Sequence, residues 1–385
     1  MSKRREFIKT IGALGIGATI PTLLTQSCAN QVYNGTITLL QTTDVHCQIH
    51  PHDELFWEND KMVFRKTGGY AQIATAFDEL RQQNPNTFIV DTGDMFQGSE
   101  LAVKTTGKAL IPILNSLDYN LYLPGNWEVV YGKWNMERLM YGLNAPKICA
   151  NMFHDGGMGQ CGDLIFAPYY VYKALGQKIG FLGYTDPLVP VRQSPAYSKG
   201  IVYTKPEETL AEYIKILKEK EQCTYIIVLA HLGLSQQISL ANNPDCQGID
   251  YIFGGDTHER VRKPIQCKFS KVVEPGAFGS FIGKLNLQVN DNQIVSDSYE
   301  LMEVSSDKYK PKTSIYHYIN LLEKPFLQDI NKIIGYSSVP LYRYFVIENT
   351  MDTLIVEALK WEIGTDIALS KGFRFCPPVC PIPVG

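Results

Sequence analysis

At 385 residues the chain is long enough for two domains and a sizeable core. Its composition, 45% hydrophobic and 19% charged, is that of an ordinary globular α/β protein. A net charge of −3 gives no basic surface for nucleic acid and leaves small molecules as the expected partners.

The N-terminus opens on Lys3-Arg4-Arg5-Glu6-Phe7-Ile8-Lys9, followed by a glycine-rich apolar stretch from Ile11 to Leu24. That stretch is too short and too rich in glycine for a comfortable membrane span. Residues 1–28 resemble a twin-arginine signal: two arginines, any residue, Phe, an aliphatic, then Lys. The resemblance implies export of an already folded chain by the twin-arginine machinery. Cys28 follows the small Ser27 but also Gln26, a loose lipoprotein box. A lipid there would anchor the protein to a membrane surface without spanning it. The expected location is therefore exported, either periplasmic or as a membrane-anchored lipoprotein.

Residues 34–303 read as one catalytic α/β domain. Strands are predicted at 36–40, 87–90, 178–182, 225–229 and 251–253. Between them Ile73, Ala74, Phe77 and Leu80, and later Leu210, Tyr213, Ile214 and Leu217, recur at helical spacing. Runs at 271–273 and 282–289 lack intervening helices and suggest antiparallel pairing. Residues 304–345 are expected to form a linker with a helix, marked by a polar stretch with Pro311 and then Ile315, Ile319, Leu322 and Phe326. The segment 346–385 offers a helix at 352–363, a strand at 366–369 and a Pro-rich end. Of nine cysteines, only Cys376 and Cys380 are close in sequence, a weak zinc-site signal. Pairing among the others is left open by the sequence.

The chemistry sits just past the strands. Asp44 and His46 follow the first, Asp94 the second, and Asn126 the short run Leu121-Tyr122-Leu123. His231 follows the run at 225–229, and Asp256 and His258 follow the run at 251–253. Ligands of open α/β sheets bind beyond the carboxyl ends of strands, so these seven groups converge on one rim. Each alone has a structural reading: a helix cap for Asp44 or Asn126, a core histidine for His231, a turn for Gly93-Asp94. Five such coincidences at successive strand ends point instead to a metal site.

The ordered set Asp-x-His, Gly-Asp, Gly-Asn, His and Gly-Gly-x-x-His resembles the calcineurin-like metallophosphoesterases. Lys66-Thr67-Gly68-Gly69-Tyr70-Ala71, Thr92-Gly93-Asp94-Met95-Phe96-Gln97-Gly98-Ser99 and Ser370-Lys371-Gly372-Phe373-Arg374 are similar to its 5'-nucleotidase branch. The resemblance implies a four-layer β-sandwich flanked by helices, and then the start of an incomplete C-terminal α+β domain at 346–385. It implies two divalent cations, Mn first, with Zn, Fe or Co as alternatives. Asp44, His46, Asp94 and His258 would hold one; Asp94, Asn126, His231 and Asp256 the other. Asp94 would bridge them at roughly 3.5–4 Å. Water bound there would become hydroxide near neutral pH and attack a phosphoester-type tetrahedral oxyanion. Asn126 and Asp94 would serve catalysis, and Arg374 would anchor the substrate anion.

Two positions depart from that pattern. Typical 5'-nucleotidases carry His after the Asn ligand, paired with Asp three residues on; here the residues are Trp127 and Val130, which move no proton. Asp256 stands where His is usual, and as an oxygen ligand it favours harder metals such as Mn. Trp127-Glu128 and Tyr131-Gly132 are similar to the SoxB-type thiosulfohydrolases of the same branch. That likeness implies release of sulfate from a cysteine-bound thiosulfonate on a carrier protein, whose leaving group has less need of an acid. The departures also fit a third expectation, a degenerate metal-binding lipoprotein without turnover.

Overall fold

The computed structural model describes residues 31–370 and 376–381. Two sheets stack face to face. The first has five strands in the order Gln293–Glu303, Phe281–Asn290, Gly35–Thr42, Thr87–Asp91, Leu121–Tyr122. The last three run parallel, and Phe281–Asn290 pairs antiparallel with both its neighbours. The second has six strands in the order Ile265–Gln266, Lys271–Val273, Tyr251–Gly254, Tyr225–His231, Gln177–Thr185, Tyr169–Ala174. Its four inner strands are parallel and its two edges antiparallel.

Side-chain alternation along the second sheet explains the layering. Phe181, Ile227, Leu229 and Phe253 point between the sheets. Their neighbours Leu182, Ile226, Val228 and Ile252 belong to a second apolar cluster with Leu210, Ile214 and Leu240 of the helices Leu210–Lys215 and Leu234–Ala241. Across the interior, Phe88 stacks on Phe181 with ring centroids 5.1 Å apart. Helix Tyr70–Gln83 turns Ile73, Phe77 and Leu80, spaced four and three residues apart, into the same core. Burial of each such side chain contributes roughly 1.5–3 kcal/mol, so the strands are held by the sandwich more than by propensity. The result is a mixed α/β fold of sheets with flanking helices, as the sequence suggests.

Three details differ from the sequence-based expectation. Lys271–Val273 runs parallel to Tyr251–Gly254; its antiparallel partner is the two-residue strand Ile265–Gln266, too short to carry a pattern. The strand expected at 366–369 does not form: Ile367 and Leu369 are 77% and 87% exposed, with no strand pairing them among the described residues. The hairpin His52–Glu58/Lys61–Thr67 and the small sheet of Met152–Asp155, Cys161–Leu164 and Ile201–Tyr203 have no counterpart in the sequence-based reading.

Toward the C-terminus, helix Thr313–Glu323 buries Ile315 and Ile319, and Lys312 pairs with Asp78 at 2.7 Å. Helix Thr350–Ile363 buries none of its residues. Tyr344 donates its hydroxyl to Glu54 Oε1 at 2.6 Å, tying this region to the hairpin. Among the described residues no helix is long and apolar enough to cross a membrane. The signal segment with Cys28, and Arg374, lie outside the described residues.

Candidate metal centre

The parallel strands of both sheets end on one rim, and the predicted residues gather there. Five of them sit in loops with positive φ: Asp44 (50°), His46 (50°), Asp94 (61°), Asp256 (90°) and His258 (63°). Non-glycine residues rarely adopt this region, and each such residue costs on the order of 1–3 kcal/mol. The loops are held by backbone bonds between them. Asp44 N donates to Gly93 O and His46 N to Asp94 O, both at 2.9 Å. Gly93 itself has φ of 107°, and a Cβ there would collide with the backbone of Gly125.

Two overlapping groups result, Asp44 with His46 and His258, and Asp44 with Asp94 and His231. Asp94 Oδ2 lies 3.6 Å from His46 Nε2 and 3.3 Å from His231 Nε2, between the two imidazoles. Asp44 Oδ1 is as central, 3.8 Å from His46, 3.9 Å from His231 and 3.3 Å from His258. His46 and His258 bring their Nε2 atoms to 3.1 Å. Asp256 Oδ1 is 3.9 Å from His231 Nε2 and accepts from Asn126 Nδ2 at 2.8 Å.

These residues fit divalent cations. Donors 3.1–3.9 Å apart are spaced as pairs sharing one ion at about 2.0–2.2 Å. Asp44 Oδ1, Asn126 Oδ1 and His231 Nε2 are buried with no hydrogen-bond partner among the described residues, an arrangement that is costly unless another ligand completes it. Imidazole with carboxylate and amide oxygen suits first-row metals such as Mn, Fe, Co or Zn. Other contacts aim the donors. His231 Nδ1 meets Thr92 O at 2.7 Å and His46 Nδ1 meets Gln97 Oε1 at 3.0 Å, which turns each Nε2 inward. Thr43 Oγ1 donates to Asp44 Oδ2 at 2.6 Å.

The electrostatics agree. Burial would raise Asp44, yet His231 and His258 beside it hold its carboxyl well below the usual carboxylate range. Burial opposes charge on His231, but Asp94 and Asp44 lift it well above the ordinary imidazole range. Burial likewise acts against His258, which Asp44 raises. His46 is lowered by burial. A pocket that draws protons onto buried imidazoles carries surplus negative charge, and cations relieve it.

Glu128 has no role in the sequence-based reading. Its fully buried carboxylate accepts from the backbone N–H of Gly125 (2.5 Å), Asp94 (3.0 Å) and Met95 (2.7 Å), and so splices two ligand loops together. Burial and then Asp94 push it up to about 7. Trp127 joins the set through its backbone, N–H donating to Asp94 Oδ1 at 2.8 Å. Two further histidines, His50 and His52, are engaged away from both ligand groups. His50 pairs with Glu323 at 2.7 Å, and His52 meets Ser280 Oγ at 3.0 Å. Cys376 and Cys380 belong to neither ligand group.

Comparison with known proteins follows the same line. The calcineurin-like phosphoesterase family model matches residues 37–260. A 5'-nucleotidase of Bos taurus is 24% identical over 352 residues, covering 84% of this chain and 59% of that protein. The chain thus spans little more than half the length of that relative. A sulfate thiohydrolase SoxB of Thermus thermophilus superposes with a TM-score of 0.76 at 18% identity, covering 85% of this chain and 68% of the other. A 5'-nucleotidase precursor from the same organism gives 0.73 at 21% identity, covering 86% and 67%. At these identities the structural likenesses speak to the fold alone.

Proposed function

The chain belongs to the calcineurin-like phosphoesterase family, and from that premise we propose that it is an exported hydrolase using two divalent cations on a phosphoester-type tetrahedral oxyanion. The reading is carried by three buried atoms with no hydrogen-bond partner among the described residues, Asp44 Oδ1, Asn126 Oδ1 and His231 Nε2, the last of them beside the carboxylates of Asp44 and Asp94. Asp44, His46, Asp94 and His258 would hold one cation, and Asp94, Asn126, His231 and Asp256 the other, with Mn favoured by the oxygen-rich second set. When bound, such a pair lowers the pKa of water toward about 7 and neutralises the oxyanion under attack. The protein's own part is positional. The turned imidazoles and Glu128-bound loops fix the donors before substrate arrives, so little reorganisation remains at reaction. Arg374 is proposed to anchor the anion. Export by the twin-arginine route, with the periplasm or a lipid at Cys28 as destination, completes the proposal.

A second reading is favoured by the loop from Gly125 to Tyr131. Its one carboxyl, Glu128, is committed to three N–H groups, and Trp127 and Val130 carry no mobile proton. A substrate that leaves without protonation, such as a thiosulfonate on a carrier-protein cysteine, suits that loop better than an alkyl phosphate. Both readings are tested together. Metal analysis of the exported chain is expected to find two ions. Hydrolysis of 5'-nucleotides, abolished in Asp94→Ala, supports the first; sulfate release from a thiosulfonated peptide, with nucleotides inert, supports the second. Two bound ions with neither activity would leave a non-catalytic metal-binding lipoprotein.

A further inference from the structure

Arg192 belongs to no motif, yet its guanidinium reaches the centre. It closes the short helix Val189–Arg192 after strand Gln177–Thr185. Nη1 donates to Asp186 Oδ2 at 2.6 Å, and Nη1 and Nη2 both donate to Asp256 Oδ2 at 3.2 Å. Asp186 is 0% exposed, and its other oxygen accepts from Leu188 N at 2.9 Å. The arginine is therefore tied, through the same Nη1 that meets Asp256, to a buried carboxylate that is itself held by a backbone N–H.

The chain of contacts continues inward. With Oδ2 held by Arg192, Asp256 turns Oδ1 toward Asn126 and accepts its Nδ2 hydrogen at 2.8 Å. An amide whose nitrogen is turned this way points its oxygen in the opposite direction, and Asn126 Oδ1 is one of the buried acceptors without a partner among the described residues. The adjacent Gln193 holds the same residue by its backbone, Nε2 donating to Asn126 O at 2.8 Å. Arg192 is poorly suited to gripping a substrate anion, because two carboxylates within 3.2 Å outnumber its single charge.

We propose that Arg192, anchored on Asp186, is a positioning residue for Asp256 and Asn126, and so sets the affinity of the second cation without touching the first. The inference rests on the two-cation reading above. Loss of a partner that orients metal ligands commonly lowers affinity roughly 10–100-fold. The test is calorimetric titration of Mn into the metal-stripped full chain, with a thermal melt to check folding. Wild type is expected to show two sites. Arg192→Gln is expected to weaken one of them roughly 10–100-fold and leave the other unchanged, and Asp186→Asn to weaken the same one. Arg192→Lys, which keeps the charge, is expected to recover part of the loss. Two unchanged sites in Arg192→Gln overturn the proposal, as does an equal weakening of both in a chain that melts normally. If Arg192→Gln does not fold, Arg192→Lys decides by the same comparison: one weakened site supports the proposal, and two unchanged sites overturn it. A wild-type chain that binds no Mn fails earlier, at the two-cation reading, and is told apart by that result.

Discussion

Glu128 and Glu54 are both buried carboxylates, and their neighbours give them opposite consequences. Among the described residues, the Glu128 carboxylate accepts hydrogen bonds from three backbone N–H groups. Glu128→Gln replaces an acceptor with an NH2 facing those donors, so urea unfolding is expected to show a loss of about 1–3 kcal/mol. Metal affinity should fall too, since the Asp94 and Asn126 loops lose their common anchor. Burial would raise Glu54, but His52, Arg260 and Tyr344 together outweigh it and lower its pKa from 4.5 to about 2. A carboxyl lowered on folding stabilises fully above its unfolded value and loses that contribution as pH falls through the folded one. Glu54 should therefore contribute about 3 kcal/mol that vanishes between roughly pH 4.5 and 2. The melting temperature of Glu54→Gln is expected to fall less steeply across that window than that of wild type; superimposable acid limbs would remove Glu54 as the source.

Loops, more than strands, decide whether the centre assembles. Gly93 and Gly132 both have positive φ, but of the two Gly93 is crowded, by Gly125 and His231; no atom of the described residues lies within 4 Å of a Cβ at Gly132. Gly93→Ala is expected to cost more than Gly132→Ala, whose penalty is conformational alone at about 1 kcal/mol. It should also abolish metal binding, which Gly132→Ala should retain. Paired melts and metal titrations check both. The strands feeding these loops were legible because parallel strands covered on both faces read as apolar runs, with Asp, Asn or His at or shortly past the end of each. Tyr169–Ala174 was not, since Tyr and Lys interrupt its pattern at the sheet edge. At the site, sequence found the residues that end strands and missed those that support them. Arg192 and Asp186 follow a strand as well, but their meaning depends on Asp256, 64 residues away from Arg192 in the chain, and no local spacing encodes that meeting.

For the molecule as a whole, the centre joins the two sheets. Asp44, His46, Asp94 and Asn126 come from the first, His231, Asp256 and His258 from the second. Cations bound there would stabilise the native sandwich, by about 2.7 kcal/mol for a site whose ligand stands at one hundred times its Kd. A strong chelator is expected to lower the melting temperature of the metal-loaded protein, and added Mn to restore it. No change on stripping two bound ions would contradict a site spanning both sheets. The left-handed turns at Asp44, His46 and Asp94 are also the earliest made of the ligand set, and His258 the last. A ribosome would release Asp44, His46, Asp94 and Asn126 long before His231, Asp256 and His258, which close the site. Loading of both sites would thus wait until the chain has grown past His258: no nascent fragment ending short of it holds both donor groups, whatever metal the compartment of synthesis offers.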